Sequence, residues 1–407
     1  MFTDANTCST VSGDSGNGSA YQRPSAIDLL YRYGVDSSIF LGTPERTLLG
    51  RGVRLRLKRG PGESTATALQ QLFTDLQRNG DSEAILVGAI PFAPDAQPVL
   101  FIPDQLDVAG PLGRHTALKP NQARRGTATE EQPAQAVYAQ RVQQALDLIR
   151  HTALKKVVLS RMLEIRSERD IDQSMVLRNL AARNIGGYTF AVDLPTPSAG
   201  VRRLVGASPE LLLQRMGGQL LANPIAGTAP RSSDPGEDLA RSRKLLHSAK
   251  DRQEHALVVE AVAETLRPYC RNLHVPPVPE LLATNRVWHL STRIRAELTK
   301  HAPASYALAL ALHPTPAVCG EPRDLAARAI HTLEDFDRGL FTGLVGWCDA
   351  KGDGAWAVTI RCAEIEANRA TLYAGAGIVA DSDPWQEVAE TSAKFQTLLD
   401  AIQGGVA

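Results

Sequence analysis

Acidic side chains on two separate stretches of the chain are spaced to share one face of a helix. Asp251 and Glu254 stand three residues apart in KDRQEH. Near the C-terminus, an i, i+3, i+7 pattern joins Glu387, Glu390 and Lys394. Because residues three or four apart face the same side of a helix, each stretch offers paired carboxylates. Mg²⁺ prefers octahedral oxygen ligands and retains waters, so we expect two direct and two water-mediated carboxylates; a solvated acidic helix face is the alternative.

A lysine and a glutamate stand next to apolar runs, where burial changes their proton affinity. Lys156 begins the strand-like KVVLSR, and Glu210 stands between Pro209 and three leucines in GASPELLL. A desolvated lysine can act as a general base near neutral pH, whereas a desolvated carboxyl holds its proton and can act as an acid. A surface lysine and a glutamate at the edge of a strand are the simpler interpretations.

Arg361 and a glycine-rich segment are candidates for binding an anion. Arg361 lies in VTIRCAEIEA, where strand alternation puts it on one face with Thr359 and Ala363, and its guanidinium matches a carboxylate. A structural salt bridge is the alternative. GAGIVA, residues 375–380, fits the dinucleotide pattern G-x-G-x-x-A, but no second strand follows it. The glycines more plausibly let a backbone N–H approach a substrate anion.

Strands and helices must position these groups, and the hydrophobic patterns predict an α+β protein. The predicted strands include 84–91, 99–103, 156–165 and the segments WHLSTRIRAEL, GLVGWCDA, AWAVTIRCAEIEA and ATLYAGAGIVA. Helices are predicted over 136–151 and from about 235 to 269. A last helix begins at Asp383-Pro384, an N-cap residue followed by proline.

The domain organisation follows from composition. Residues 1–25 are rich in Gly, Ser, Asn and Asp and are predicted to form a disordered tail. Residues 26–134 form the N-terminal part of the fold and include a linker or long loop over 104–134. Residues 135–407 form the catalytic region, which we expect to be integrated with 26–134 into one domain.

Charge and cysteine usage exclude several classes of protein. Lys plus Arg and Asp plus Glu both number 44, so no basic excess favours binding to nucleic acid or an anionic membrane. The five cysteines are scattered without CxxC spacing, which argues against a disulfide framework or a zinc site and suits a reducing cytosol. No apolar run approaches the ~20 residues of a membrane span, and the polar N-terminus lacks a signal-peptide pattern. We therefore expect a cytoplasmic protein.

Taken together and in order, these segments resemble the chorismate-binding enzyme family, which contains anthranilate, aminodeoxychorismate, salicylate and isochorismate synthases. The resemblance covers about residues 135–402. Its ten motifs are KVVLSR (156–161), GASPE (206–210), PIAGTAPR (224–231), KDRQEH (250–255), WHLST (288–292), HPTPAVCG (313–320), FTGLVGWCD (341–349), TIRCAEI (359–365), YAGAGIV (373–379) and ExxExxxK (387–394). The N-terminal VGAIPF and FIP are similar to isochorismate synthases of catecholate siderophore pathways.

Three residues bear on the subfamily. Anthranilate synthases generally have glutamine at the position of Lys156, and aminodeoxychorismate synthases have lysine at that of Ala226. HPTPA, which ends at Ala317, is also similar to isochorismate synthases, and the resemblance implies that Ala317 binds the substrate. Salicylate synthases share Lys156 and Glu210 and are therefore the competing assignment. They differ by adding a lyase step in the same pocket. Asp251 departs from the glutamate of many family members, and its shorter side chain suits a water-mediated metal contact.

The resemblance implies a chorismate-binding fold like that of anthranilate synthase component I, with antiparallel sheets in a sandwich core and helices outside. It implies a monomer that converts chorismate to isochorismate for siderophore synthesis. Water activated by Lys156 would add at C2, and Glu210 would protonate the departing C4 hydroxyl. The implied Mg²⁺ ligands are Glu254 and Glu390 directly, and Asp251 and Glu387 through water.

The remaining residues would bind the substrate. Arg361 and the Gly375 N–H are implied for the enolpyruvyl carboxylate, and Gly227 and Lys394 for the ring carboxylate. His289 lines the pocket or is a satisfied core histidine. Two different hypotheses stay open at this point. One is a dinucleotide-dependent oxidoreductase built on GAGIVA, and the second is a catalytically inactive relative that still binds the ligand.

Overall fold

A computed structural model describes residues 24–113, 127–184, 186–196 and 200–403 of the chain. Most of the predicted disordered tail, and part of the predicted linker, lie outside these ranges. The first helix begins at Ala26 because Ser25 caps it and Asp28 completes the capping box. In the part of the chain that is described, no helix combines the length and apolar character needed to cross a membrane.

Helices flank the sheets in the described ranges, and most begin at a capping side chain. They are α1 (Ala26–Arg32), α2 (Thr65–Arg78), α3 (Gln135–His151), α4 (Gln173–Arg183), α5 (Pro235–His247), α6 (Ala249–Leu266), α7 (Ser305–Leu312), α8 (Arg323–Leu333) and α9 (Pro384–Gln403), with a short 3-10 turn over Arg267–Tyr269. The predicted start of the last helix is confirmed, since Oδ1 of Asp383 accepts the N–H groups of Trp385 and Gln386.

The first half of the described chain contributes thirteen strands. They are β1 (Ser37–Gly42), β2 (Thr47–Arg51), β3 (Leu55–Arg56), β4 (Ile85–Ile90), β5 (Val99–Ile102), β6 (Gln105–Ala109), β7 (Thr127–Gln132), β8 (Lys156–Ser167), β9 (Tyr188–Leu194), β10 (Arg202–Ser208), β11 (Leu211–Met216), β12 (Gln219–Asn223) and β13 (Ile225–Pro230). β6 and β7 lie in the stretch predicted as a linker, so that prediction is wrong for its two ends.

The second half contributes the remaining strands of the described ranges. They are β14 (Cys270–His274), β15 (Glu280–Ala283), β16 (Val287–Ser291), β17 (Ile294–Leu298), β18 (Gly320–Glu321), β19 (Leu344–Asp349), β20 (Gly354–Val358), β21 (Cys362–Glu366) and β22 (Arg369–Ile378). All the strand pairs that the structure records are antiparallel, as predicted for a sandwich.

Two large sheets form the sandwich. The first has ten strands in the order β18-β8-β22-β21-β10-β9-β1-β2-β6, with β7 beside β8. The second has nine in the order β14-β17-β12-β11-β20-β19-β4-β5-β3, and β13, β16 and β15 form a small third sheet. Side chains from the facing sides of both large sheets make one apolar core, including Phe190 and Leu204 from the first sheet and Trp347 and Val345 from the second.

Helices cover the outer faces of both sheets. Apolar residues of α1, α4 and α9 pack on the ten-stranded sheet, and those of α2, α6 and α7 pack on the nine-stranded sheet. The α+β class and the sandwich with external helices are thus confirmed. Burial of alternate strand residues on both faces explains why many strands read as continuous apolar runs.

Three predicted elements are broken in the structure. The helix predicted over 235–269 is two helices, because Ser248 ends α5 and its Oγ accepts the N–H of Asp251 to begin α6. WHLSTRIRAEL is two strands, β16 in the small sheet and β17 in the nine-stranded sheet. AWAVTIRCAEIEA is also two, since the chain leaves β20 of one sheet and enters β21 of the other. Continuous apolar patterns conceal these changes of sheet.

Candidate active site

A cavity lies where the two large sheets, the small sheet and helices α6 and α9 meet, with about 620 Å³ of space that includes its opening to solvent. Nine of the twelve residues predicted for the site line it. They are Glu210, Gly227, Glu254, His289, Ala317, Arg361, Gly375, Glu390 and Lys394. Of the other three, Lys156 contacts Glu254 and Asp251 lies against Gly227. Glu387 is close enough to Glu390 for the charge of Glu390 to affect its pKa.

Crossings between the two large sheets place two of these residues. Pro209 and Glu210 link β10 to β11, and residues 359–361 link β20 to β21. The two crossings are hydrogen-bonded to each other, since the Val358 N–H donates to the Glu210 carbonyl and the Ala207 N–H to the Arg361 carbonyl. The prediction that Arg361 shares a strand face with Thr359 and Ala363 is therefore wrong. Arg361 lies at a crossing, with φ of 51°.

Lys156 is fully buried at the start of β8, which excludes the alternative of a surface lysine. Its Nζ lies 3.0 Å from Oε1 of Glu254, in an orientation that makes no hydrogen bond. Gly377 on the adjacent strand makes room for this pair, because a Cβ there would lie 2.2 Å from Oε1 of Glu254 and 2.9 Å from Cε of Lys156. The second glycine of GAGIVA is thus needed for side-chain packing.

The position of GAGIVA also removes the dinucleotide alternative. Gly375 and Gly377 pair with Ser160 and Val158 inside the antiparallel ladder of β22 and β8. A dinucleotide fingerprint requires a tight turn from a parallel strand into a helix, whose N-terminus binds the pyrophosphate. The interpretation as a dinucleotide-binding motif is therefore wrong on geometric grounds.

Glu210 is buried among apolar residues of the crossing. Burial raises the pKa of its carboxyl to about 8, although the Ile225 N–H and the charges of Lys156 and Lys394 act in the opposite direction. A carboxyl with this pKa holds a proton at neutral pH. Glu210 is thus suited to donate a proton inside the cavity.

Helices α6 and α9 bring the four predicted metal-binding acids within electrostatic reach of one another. Burial and the charge of Glu390 raise the pKa of Glu387 to about 7. Burial raises the pKa of Asp251, and the charges of Glu254 and Glu390 add to the effect. The acids therefore do not belong to separate solvated helix faces, which was the alternative.

Lysines neutralise three of these acids. Besides the Lys156–Glu254 contact, Lys250 Nζ donates to Glu387 at 2.8 Å, and Lys394 Nζ donates to Glu390 at 2.6 Å. Among the described residues, no three His, Cys, Asp or Glu side chains are gathered into a ready-made metal cage. The donors are nonetheless all carboxylate oxygens, which is the chemistry that a hard divalent cation requires, so the residues fit Mg²⁺ rather than a softer metal.

Arg361, His289 and Gly227 form a connected group on the cavity wall. Arg361 Nη2 donates to His289 Nε2 at 3.1 Å, and His289 Nδ1 lies 3.1 Å from the Gly227 carbonyl. Burial and the neighbouring Arg361 lower the pKa of His289 well below its usual value, so the ring is neutral and carries its proton on Nδ1. His289 consequently both lines the cavity and is satisfied in the core.

Cationic side chains and a glycine backbone face the cavity. Burial lowers the pKa of Arg361 only to about 10, so it stays charged at neutral pH. Lys394 Nζ, besides its contact with Glu390, donates to the Gly375 carbonyl at 2.8 Å. Gly227 has φ of 72°, a conformation that favours glycine, and it lies against Asp251.

Several lining residues were missed by sequence reasoning although they lie in or beside the motifs. Phe341 and Tyr373 stack with ring centroids 5.1 Å apart, and Thr342 has φ of 59°. The rest of the missed wall consists of Val158, Ile225, Ala226, Thr228, Val318, Ile360, Ala374 and Gly377. No local pattern distinguishes these apolar and small residues from ordinary core, and the left-handed backbone of Thr342 carries no glycine to signal it.

Comparisons with known proteins agree with this geometry. The family model described as chorismate binding enzyme matches residues 83–403. The isochorismate synthase DhbC of Bacillus subtilis is 45% identical over 93% of this chain and 96% of its own length. The vibriobactin-specific isochorismate synthase of Vibrio cholerae is 42% identical over 90% of this chain and 91% of its own length.

A solved structure matches over almost the same extent. It is the crystal structure of a protein from Bacillus anthracis described as a 2,3-dihydroxybenzoate-specific isochorismate synthase, DhbC. The two share 44% sequence identity and superpose with a TM-score of 0.87, covering 93% of this chain and all of that one.

Proposed function

The chain belongs to the chorismate-binding enzyme family, and we propose that it is an isochorismate synthase. One observation carries the proposal: Glu210, a buried carboxyl that holds its proton, lines the cavity, and the charge of the fully buried amine Lys156, which contacts the lining residue Glu254, acts on it. Such a pair can remove a proton from one reactant and supply one to another at the same pH. The relatives of this chain that carry the name isochorismate synthase support the same reaction.

The cavity suits chorismate, a dianion with a ring carboxylate, an enolpyruvyl carboxylate and a C4 hydroxyl. We propose that Arg361 and the Gly375 N–H bind the enolpyruvyl carboxylate, and that Lys394 and the Gly227 backbone assist at the ring carboxylate. Guanidinium groups bind carboxylates through two parallel hydrogen bonds. The stacked rings of Phe341 and Tyr373 give the cavity an apolar wall.

The proposed reaction is a water addition coupled to a water loss. Lys156 takes a proton from water as the oxygen bonds to C2. The ring double bonds shift, the C4–O bond breaks, and Glu210 gives its proton to the leaving hydroxyl, which departs as water. Hydroxide is a poor leaving group, so the proton from Glu210 contributes on the order of 10²–10⁴ in rate. The atoms balance, because one water enters and one leaves.

We further propose that the enzyme is Mg²⁺-dependent, with Glu254 and Glu390 as direct ligands and Asp251 and Glu387 acting through water. The ion would neutralise the ring carboxylate and hold it next to the two helices. Lys156, Lys250 and Lys394 each lie within ion-pair distance of one of these acids in the structure, and they would balance part of the negative charge until the ion binds.

Salicylate synthase is the competing assignment within the family. The names of the relatives favour isochorismate as the released product, and the vibriobactin-specific relative favours siderophore synthesis as its use. We propose that the protein works as a cytoplasmic monomer without nucleic-acid or membrane partners.

The product mixture tests the proposal. Purified protein is mixed with chorismate and Mg²⁺, and products are separated by chromatography. Isochorismate alone supports the proposal, salicylate plus pyruvate would assign the chain to the competitor, and unchanged chorismate would indicate an inactive relative. Omission of Mg²⁺ followed by its addition tests the metal separately.

A further inference from the structure

The edge of strand β8 is interrupted beside the cavity. β18 pairs with Lys156 and Val157, and β7 pairs with residues 162–167. Between them, two side chains replace a partner strand: Arg338 Nη2 donates to the Val158 carbonyl at 2.8 Å, and Glu334 Oε1 accepts the Ser160 N–H at 2.8 Å. The Glu334–Arg338 pair therefore continues the hydrogen bonding of the strand that carries Lys156.

The same guanidinium reaches two other segments of the cavity wall. Arg338 Nη1 donates to the Val318 carbonyl at 2.8 Å and lies 3.4 Å from Oγ1 of Thr342. Val158, Val318 and Thr342 all line the cavity. One side chain thus joins strand β8, the loop that contains Ala317, and the segment with the left-handed Thr342 backbone.

Glu334 and Arg338 form a buried ion pair with several hydrogen bonds. Both side chains are almost fully buried, at 2% and 3% exposure, and Arg338 Nε also donates to Glu334 Oε2 at 2.8 Å. A buried ion pair is weak support for stability, because apolar residues of similar volume often stabilise a core equally well. The fixed directions of the hydrogen bonds made by the pair instead favour a role in positioning the groups that accept or donate them.

We propose that Glu334 and Arg338 are positioning residues, which hold the wall formed by Val158, Val318 and Thr342 at the distance from Lys156 that the substrate ring requires. This inference rests on the proposed isochorismate synthase function. Neither residue lines the cavity, so both act through the backbone and side chain of their partners. A shift of about 1 Å in the bound ring is enough to lower turnover on the order of 10²-fold.

Arg203, a second buried arginine, lies on β10 of the ten-stranded sheet and provides a matched control. Arg203 is 3% exposed, binds Asp193, and donates to the carbonyls of Gly34, Val35 and Ser37 at 3.0 to 3.1 Å. Arg203 donates to three backbone carbonyls and Arg338 to two. None of the three residues that Arg203 contacts in this way lines the cavity. Replacing Arg203 therefore measures the effect of losing a buried, hydrogen-bonded arginine that does not hold the cavity wall.

The experiment compares Arg338→Met, Glu334→Gln and Arg203→Met, with kcat and KM for isochorismate formation measured on the folded fraction determined by circular dichroism. We expect kcat to fall at least about tenfold in the first two variants and to stay within about twofold in Arg203→Met. Arg338→Lys, which keeps the charge and some of the hydrogen bonds, is expected to recover part of the loss. Chorismate affinity from calorimetry gives a readout that does not depend on the product.

Equal kcat, KM and chorismate affinity in Arg338→Met, Glu334→Gln and Arg203→Met would overturn the positioning role. If Arg338→Met does not fold, the isosteric Glu334→Gln decides by the same criterion. A wild-type protein that binds chorismate but forms no isochorismate would contradict the proposed function, and the calorimetric comparison would still test the wall.

Discussion

The ammonium nitrogen of Lys156 lies 3.0 Å from Oε1 of Glu254, and the two side chains meet over a glycine on the neighbouring strand. This contact joins the proposed base to a proposed metal ligand. In the proposed mechanism Glu254 would hold Mg²⁺ while Lys156 acts on water, so the two roles meet at this contact.

Gly377→Ala should disable the site while leaving the fold intact. The added Cβ would lie 2.2 Å from Oε1 of Glu254 and 2.9 Å from Cε of Lys156, so the pair must move. We expect kcat/KM for chorismate to fall at least about tenfold, since sub-ångström placement governs such steps. Gly110→Ala, where no atom lies within 4 Å of the new methyl group, is the control and should behave as wild type. Unchanged kinetics in Gly377→Ala would separate the pair from catalysis.

Lys156→Ala should abolish isochorismate formation, because no other amine in the described part of the chain replaces it at the start of β8. The expected loss in kcat is on the order of 10²–10⁴, the usual worth of general base catalysis. Lys155→Ala removes the neighbouring exposed lysine and should retain activity. Circular dichroism confirms folding of both proteins, and full activity in Lys156→Ala would remove this residue from the mechanism.

The activity should decline as pH rises through about 8. Burial raises the pKa of Glu210 to about 8, so the carboxyl carries the proton it must donate below that pH and loses it above. A profile of kcat against pH measures this limb. Glu210→Gln cannot donate a proton, so its residual activity should be lower by on the order of 10²–10⁴ and should lack the decline near pH 8. The same alkaline limb in wild type and Glu210→Gln would assign it to another group.

Magnesium affinity should distinguish direct from water-mediated ligands. Replacing partners outside the first set of ligands costs roughly 10- to 100-fold in metal affinity, so we expect that loss in Asp251→Asn and Glu387→Gln. Glu254→Gln and Glu390→Gln should lose more than about 100-fold. Affinity is measured by calorimetry and by the dependence of initial rate on Mg²⁺. Glu264→Gln, which changes an exposed acid of α6, should match wild type and serves as the control. Equal losses of affinity in all five variants would contradict the assignment.

The sequence was sufficient to predict the charged residues that line the cavity, but not the contacts that hold them in place. Spacing and motif order identified Lys156, Glu210 and the acids of α6 and α9, since their types and helical periods are local properties. Glu334 and Arg338 are only four residues apart, but the groups they bond, on Val158, Ser160 and Val318, are distant in the chain. The Lys250–Glu387 contact also joins distant segments, so no local pattern predicts either arrangement.

The predicted fold class was confirmed, and the errors in the predicted strands have one cause. Apolar runs identify buried strands, but they do not show where the chain changes sheet. Thr292–Arg293 and 359–361 interrupt apparently continuous strands at such changes. Arg361 owes its place in the cavity to one of these crossings, so its membership of the site was predicted while its backbone conformation was not.

Oxygen tracing tests the central claim most directly. The protein is incubated with chorismate and Mg²⁺ in water enriched in ¹⁸O, and the isochorismate formed is examined by mass spectrometry. Addition of water at C2 with loss of the C4 hydroxyl predicts one ¹⁸O atom in the new hydroxyl group of each product molecule. Isochorismate that retains only the original oxygen would contradict the roles of Lys156 and Glu210, and the absence of isochorismate would contradict the proposed function itself.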